Sequence, residues 1–183
     1  DGGATWSVAT NGLSGVGFTS IAYGAGKFVA VSQGTTAAAY STDGIAWTTV
    51  VTPGSFAAAT DVTWGNGKFV ALGGANGTMY SLDGVTWYEN ALSLPLTATE
   101  RRIGYGQGMF VITSDDTDEI QYSTDGLYWQ AYNVGAVPGG YNGVAFGNPE
   151  REGRWVVFPN AANTIVRIPK LGVTAKGRAS VSN

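Results

Sequence analysis

The sequence predicts an all-β protein built from four-stranded antiparallel blades, and three observations lead there. The stretch Tyr40-Ser41-Thr42-Asp43-Gly44-Ile45-Ala46-Trp47 returns as Tyr80-Ser81-Leu82-Asp83-Gly84-Val85-Thr86-Trp87, and again from Tyr122 through Asp125 and Gly126 to Trp129. A second phrase precedes each copy: Tyr23-Gly24-Ala25-Gly26-Lys27-Phe28-Val29, Trp64-Gly65-Asn66-Gly67-Lys68-Phe69-Val70 and Tyr105-Gly106-Gln107-Gly108-Met109-Phe110-Val111. The chain of 183 residues is also poor in charge (13%) and rich in glycine (28 positions), a composition of short strands and tight turns rather than helices. Self-similarity at about 41 residues, with turn chemistry in phase, is the signature of a blade-by-blade array, a β-propeller.

Each repeat parses into four strands. The first ends in an aromatic (Tyr23, Trp64 or Tyr105), and Gly-x-Gly follows as a hairpin turn that accepts positive φ. The second, such as Lys68-Phe69-Val70-Ala71-Leu72, is apolar on successive residues. That pattern belongs to a strand covered on both faces. The third ends at Ser-x-Asp-Gly, where the Asp carboxylate can accept backbone N–H bonds from its own turn. The fourth begins at Trp and alternates more openly, as in Trp129-Gln130-Ala131-Tyr132, which suits an outer strand with one wet face. Asp43, Asp83 and Asp125 are therefore read as structural turn residues. Trp47, Trp87 and Trp129 are read as buried, equivalent plugs between neighbouring sheets.

The Ser-x-Asp-Gly-x-x-Trp phrase resembles the Asp-box of BNR repeats, found in sialidases, sortilin-type receptors and photosystem assembly propellers. The three internal copies are one residue shorter than the usual pattern, and Asp1-Gly2-Gly3-Ala4-Thr5-Trp6 matches its tail. The resemblance covers about residues 1–158 and implies a propeller scaffold; function resides in sites grafted onto such scaffolds. The paired phrases also resemble propeller modules of tailed-bacteriophage tail and fibre proteins.

The last repeat is incomplete. Val144–Asn148, Arg154–Phe158 and Thr164–Arg167 supply three strands, and Pro169 stands where the turn Asp would fall. Asp1–Ala9 reads as an orphan fourth strand. Pairing it with Thr164–Ile168 would close a four-blade ring and remove a sheet edge. Residues 1–169 are thus expected to form the propeller, and residues 170–183 a tail or the start of a following β module. Further blades ahead of Asp1 are the competing account.

Chemistry is sparse. With no His and no Cys, imidazole bases, thiolates and most zinc sites are excluded. The arginines Arg101, Arg102, Arg151, Arg154, Arg167 and Arg178 do not recur at matching first-strand positions, as an axial cluster of the sialidase kind would need. Hydrolysis would have to run on a carboxylate pair, and the remaining acids are scattered. The run Asp115-Asp116-Thr117-Asp118-Glu119 invites a calcium reading but lacks the spaced Gly and carbonyl pattern of such loops; a solvated loop is favoured. No enzyme, cofactor or metal site is expected. The net charge of -3, without a basic cluster, argues against nucleic acid, and no apolar run reaches the ~20 residues a membrane helix needs.

Binding is expected at the end carrying the variable connections, where Phe56, Asp115, Asp116, Tyr132, Asn133, Tyr141 and Asn163 could stack on or hydrogen-bond a ligand such as a sugar. The resulting expectation is a non-enzymatic module of a virion or tail structural or adhesion protein, extracellular. Its partners would be other virion proteins or copies of itself, and a host glycan. A sialidase-like hydrolase and an intracellular assembly-factor propeller are the alternatives.

Overall fold

A computed structural model describes residues 17–33, 37–53, 59–73, 77–90, 101–115, 117–135, 139–147, 154–159, 166–168, 171–173 and 179–181. Every regular element among them is a strand. Blade 1 holds β1 (Phe18–Gly24), β2 (Lys27–Ser32), β3 (Ala37–Ser41) and β4 (Thr48–Val51). Blade 2 holds β5 (Asp61–Gly65), β6 (Lys68–Leu72), β7 (Thr78–Ser81) and β8 (Tyr88–Asn90). Blade 3 holds β9 (Arg101–Gly106), β10 (Met109–Ser114), β11 (Glu119–Ser123) and β12 (Gln130–Asn133). Blade 4 contributes β13 (Tyr141–Gly147), β14 (Arg154–Pro159) and β15 (Val166–Ile168). Each is an antiparallel meander in chain order, so the expected propeller architecture is present. β16 (Leu171–Val173) and β17 (Ala179–Val181) pair with each other as a separate hairpin.

The repeated phrases account for this geometry locally. The hairpins β1–β2, β5–β6 and β9–β10 turn on two residues, both with positive φ: Ala25 and Gly26, Asn66 and Gly67, Gln107 and Gly108. That is the turn whose twist matches a β-ribbon, and Asn-Gly in blade 2 is its preferred dipeptide. Second strands are covered on both sides as their apolar runs require; all six residues of β10 are buried. Fourth strands are mostly exposed.

The core lies between blades. Val29, Val31 and Ala38 of blade 1 meet Val62, Phe69, Met79 and Trp87 of blade 2. Val70 and Leu72 meet Ile103, Phe110 and Trp129 at the next junction. Met109, Val111 and Tyr122 meet Tyr141, Trp155 and Val157 at the third.

A socket repeats at each junction. The glycine closing a first strand leaves room for the aromatic of the next blade: Trp64 over Gly24, Tyr105 over Gly65, Phe146 over Gly106. A Cβ on any of these glycines would collide with the ring, which explains the aromatic-Gly phrase at blade after blade.

The Trp expectation needs one correction. Trp87 and Trp129 are buried, but Trp47 is only half-buried. Trp87 and Trp129 each wedge against the blade before their own. No blade among the described residues stands before blade 1. The expected pairing of Asp1–Ala9 with Thr164–Ile168 lies outside the described residues, which show blade 4 with three strands.

Candidate functional site

The two ends of the array are built differently. At one end lie the two-residue hairpins and the Ser-x-Asp-Gly turns of residues 42–47, 82–87 and 124–129, alike in length. The meander places the β2–β3 type and blade-to-blade connections at the opposite end, and those differ in length and sequence.

At the short-turn end the polar groups serve the scaffold. Asp43 Oδ1 accepts N–H bonds from Ile45 (2.8 Å) and Ala46 (2.9 Å) and a hydroxyl bond from Ser41 (2.9 Å). Asp83 and Asp125 repeat the pattern with Val85 and Thr86, and with Leu127 and Tyr128. The Ile45 and Ala46 N–H groups hold the Asp43 carboxyl below the ordinary carboxylate value, and the Thr86 N–H is the foremost cause of the same shift at Asp83. At Asp125 burial is the largest influence and raises the value. The N–H groups of Tyr128 and Leu127, the Ser123 hydroxyl and the charge of Lys68 together outweigh it.

These turns also join blades. Lys68 Nζ donates to the Asp125 carbonyl (2.7 Å), Asn66 Nδ2 to the Thr124 carbonyl (3.0 Å) and Asn90 Nδ2 to the Leu127 carbonyl (2.6 Å). The turn reading of these Asp residues therefore stands on geometry, with the carboxylates engaged in backbone bonds rather than aimed at a common point.

The loop end places the expected ligand residues unevenly. Phe56, Asp116 and Asn163 lie outside the described residues. Asn133 is exposed, and its Oδ1 accepts from Gly135 N (2.9 Å). Tyr132 is half-buried and packs on the junction between blades 3 and 4, and Asp115 is half-buried. Tyr141 is a correction: at 0% exposure its ring belongs to that junction, and its hydroxyl donates to the Gly135 carbonyl (3.3 Å). Burial, with the charge of Asp118, pushes its hydroxyl above the ordinary value. A ring held this way cannot stack on a sugar. Among the described residues no group of three His, Cys, Asp or Glu could hold a metal ion.

One carboxylate at this end escaped sequence reasoning. Asp61 opens β5 and joins three blades, accepting from Ser20 Oγ of blade 1 (2.6 Å) and from Ile103 N of blade 3 (2.9 Å). Its own neighbour Val62 N adds a bond at 2.9 Å. The available signal was the break in the repeat: Ser20, Asp61 and Arg102 share one position at the 41-residue spacing, and only one of them is an acid.

No known family profile matches the chain, and no curated protein matches it. Its fold does match solved structures. A virginiamycin B lyase from Staphylococcus aureus, with quinupristin, superposes at TM-score 0.68 and 17% identity, over 92% of this chain and 56% of that one. A YCF48 bound to D1 peptide gives 0.61 and 15%, over 85% and 52%. The GH74 enzyme of Niastella koreensis gives 0.61 and 20%, over 99% and 27%. The chain is a β-propeller by fold, and it spans about half the length of the lyase and YCF48 structures. The same scaffold carries enzymes and binding proteins alike.

Proposed function

We propose that the chain is a non-enzymatic propeller module that presents its loop end for recognition of a host glycan or protein, as part of a virion or tail assembly. The observation that carries this reading is the division of labour between the two ends. Asp43, Asp83 and Asp125 are consumed by their own turns, while the connections that vary project from the opposite end on a rigid framework. Variable loops on a fixed scaffold are where recognition resides. The placement in a virion rests on the likeness of the repeated phrases to phage tail and fibre propellers.

A glycan array and a binding assay against candidate surface proteins test the reading, with Tyr132→Ala and Asn133→Ala as loop-end variants whose folding is checked by circular dichroism. Binding should weaken in these variants and change little with salt, because stacking and amide bonds are screened less than ion pairs. Hydrolysis of a sialoside or other glycan, abolished by one carboxylate substitution, would overturn it. So would a ligand bound over Asp43, Asp83 and Asp125.

A further inference from the structure

The junctions between blades differ in chemistry at matching positions. At the first, Ala38 and Val50 pair across β3 and β4, and Met79 of blade 2 packs in the same apolar cluster. At the second, the matching residues are Thr78 and Asn90, which pair across β7 and β8, and Gln121 of blade 3. Gln121 lies opposite Ile112 as Met79 lies opposite Ala71. At the third, Ile120 and Tyr132 form an apolar pair again. Three positions on two blades thus turn polar together, where blade 2 meets blade 3.

The register places these side chains at one junction. Asn90 Nδ2 donates to Thr78 Oγ1 on its own blade (3.3 Å) and to the Leu127 carbonyl of blade 3 (2.6 Å). Gln121 shares a face with Ile112, which packs with Val70, Leu72 and Trp129. Because Gln121 pairs with Ala131, Trp129 is its diagonal neighbour on that face. Such neighbours stand about 7–8 Å apart, within reach of long side chains.

The polar groups left over are complementary. Gln121 is 2% exposed, and its Oε1 has no hydrogen-bond partner among the described residues. The Nε1–H of buried Trp129 has none either. Thr78 is fully enclosed, and after accepting from Asn90 it keeps its hydroxyl proton to donate. A buried acceptor left unpaired forfeits its hydration without return.

We propose that Thr78, Gln121 and Trp129 bind one water molecule inside the junction of blades 2 and 3. Its oxygen accepts from Trp129 Nε1–H and Thr78 Oγ1–H, and one of its protons goes to Gln121 Oε1. Three polar partners are the usual number for an internal water. The site lies toward the loop end, since Thr78 opens β7 and Asn90 ends β8. Trp87 supplies the contrast at the first junction. Its Nε1 is also unpartnered, but Ala38, Val50 and Met79 offer no side-chain oxygen, and an indole alone cannot hold a water. The proposal is independent of what the loop end binds.

NMR of the whole chain tests this with water itself as the probe. In the rotating frame, dipolar contact with water and proton exchange give cross-peaks of opposite sign, and Trp87→Phe and Trp129→Phe assign the two indole signals. A dipolar cross-peak from water to the Trp129 indole proton, with none to that of Trp87, is the expected result. Gln121→Met and Thr78→Ala, which copy the residues of the first junction, should each weaken or remove it while circular dichroism stays that of the parent. No such cross-peak at Trp129 in the parent would overturn the proposal. Equal cross-peaks at both indoles would do the same, as would persistence of the signal in both well-folded variants. If the substitutions unfold the chain, a crystal structure of the parent decides. Solvent density within hydrogen-bond reach of Thr78 Oγ1, Gln121 Oε1 and Trp129 Nε1 supports the site, and its absence overturns it.

Discussion

The face that blade 2 turns toward blade 1 and the face that blade 1 turns away from blade 2 carry the same side chains in different surroundings. Around blade 2, Val62, Phe69 and Trp87 are enclosed, and Gly84 lies so near the preceding blade that a Cβ there would meet Val29 at 2.6 Å. Around blade 1, Ile21 and Tyr23 face solvent, and among the described residues a Cβ on Gly44 would meet only Phe28 of its own blade, at 3.6 Å. Trp47, less enclosed, donates its indole N–H to the Gly44 carbonyl (3.2 Å). The difference teaches that a blade of this kind is complete only with a neighbour on each side. Its apolar faces are halves of a core, and burial at about 25 cal/mol per Å² is collected only when they meet.

The largest expected effect tests this directly. Trp87→Ala or Trp129→Ala should destabilise by about 3–5 kcal/mol in urea unfolding, the range for a large buried aromatic. Trp47→Ala, measured in dilute solution, should cost less, no more than about 2 kcal/mol, because part of its surface stays in water in either case. Equal costs at all three positions would show that blade 1 is as well covered as the others and would break the comparison.

A second contrast concerns the glycine sockets. Gly65→Ala and Gly106→Ala set a methyl group against the Tyr105 and Phe146 rings, and overpacking of this kind costs about 1–3 kcal/mol. Gly147→Ala in dilute solution should fall within about 0.5 kcal/mol of the parent, as an exposed substitution does. The melting temperatures of the three variants, compared at one low concentration, check the ranking.

The smallest effect is electrostatic and sets the turns apart from the junctions. Asp43, Asp83 and Asp125 are more acidic in the folded chain than the ordinary 3.8, so the folded state holds fewer protons than the unfolded one. Their contribution is fully present above about pH 4, the unfolded value. It is lost as pH falls through the lowered folded values. A combined Asp43→Asn, Asp83→Asn and Asp125→Asn variant should flatten the acid side of the stability profile and leave its slope between pH 6 and 8 unchanged. A loss of slope near neutrality instead would mean that other groups carry the dependence.

The blade itself is legible in the repeat. Gly-x-Gly after an aromatic, the doubly apolar second strand and the Ser-x-Asp-Gly turn are local signals, each set by backbone conformation or by a carboxylate bonding its own turn. All three reappear in the fold, with the positive φ on the second and third residues of Gly-x-Gly while the first Gly closes its strand. The candidate site was far less legible. Tyr141 reads as a loop aromatic, yet it begins β13 and is buried, because the strand starts earlier than its apolar run suggests. Asp61 reads as one scattered acid, yet it ties three blades together, because its partners Ser20 and Ile103 stand 41 and 42 residues away.

Trp47 and Trp87 mark the boundary between the two kinds of information. Short-range chemistry dictates that each follows an Asp-Gly turn at the start of an outer strand, and each stands one residue ahead of that strand, before Thr48 and Tyr88. Nothing near either residue distinguishes them, since the repeat writes the same face onto every blade. Which face is covered depends on which sheet packs against it: blade 1 covers the face that carries Trp87, and no described blade covers the one that carries Trp47. That is a long-range property, decided only when whole sheets pack, and it leaves Trp87 in a core and Trp47 half in water.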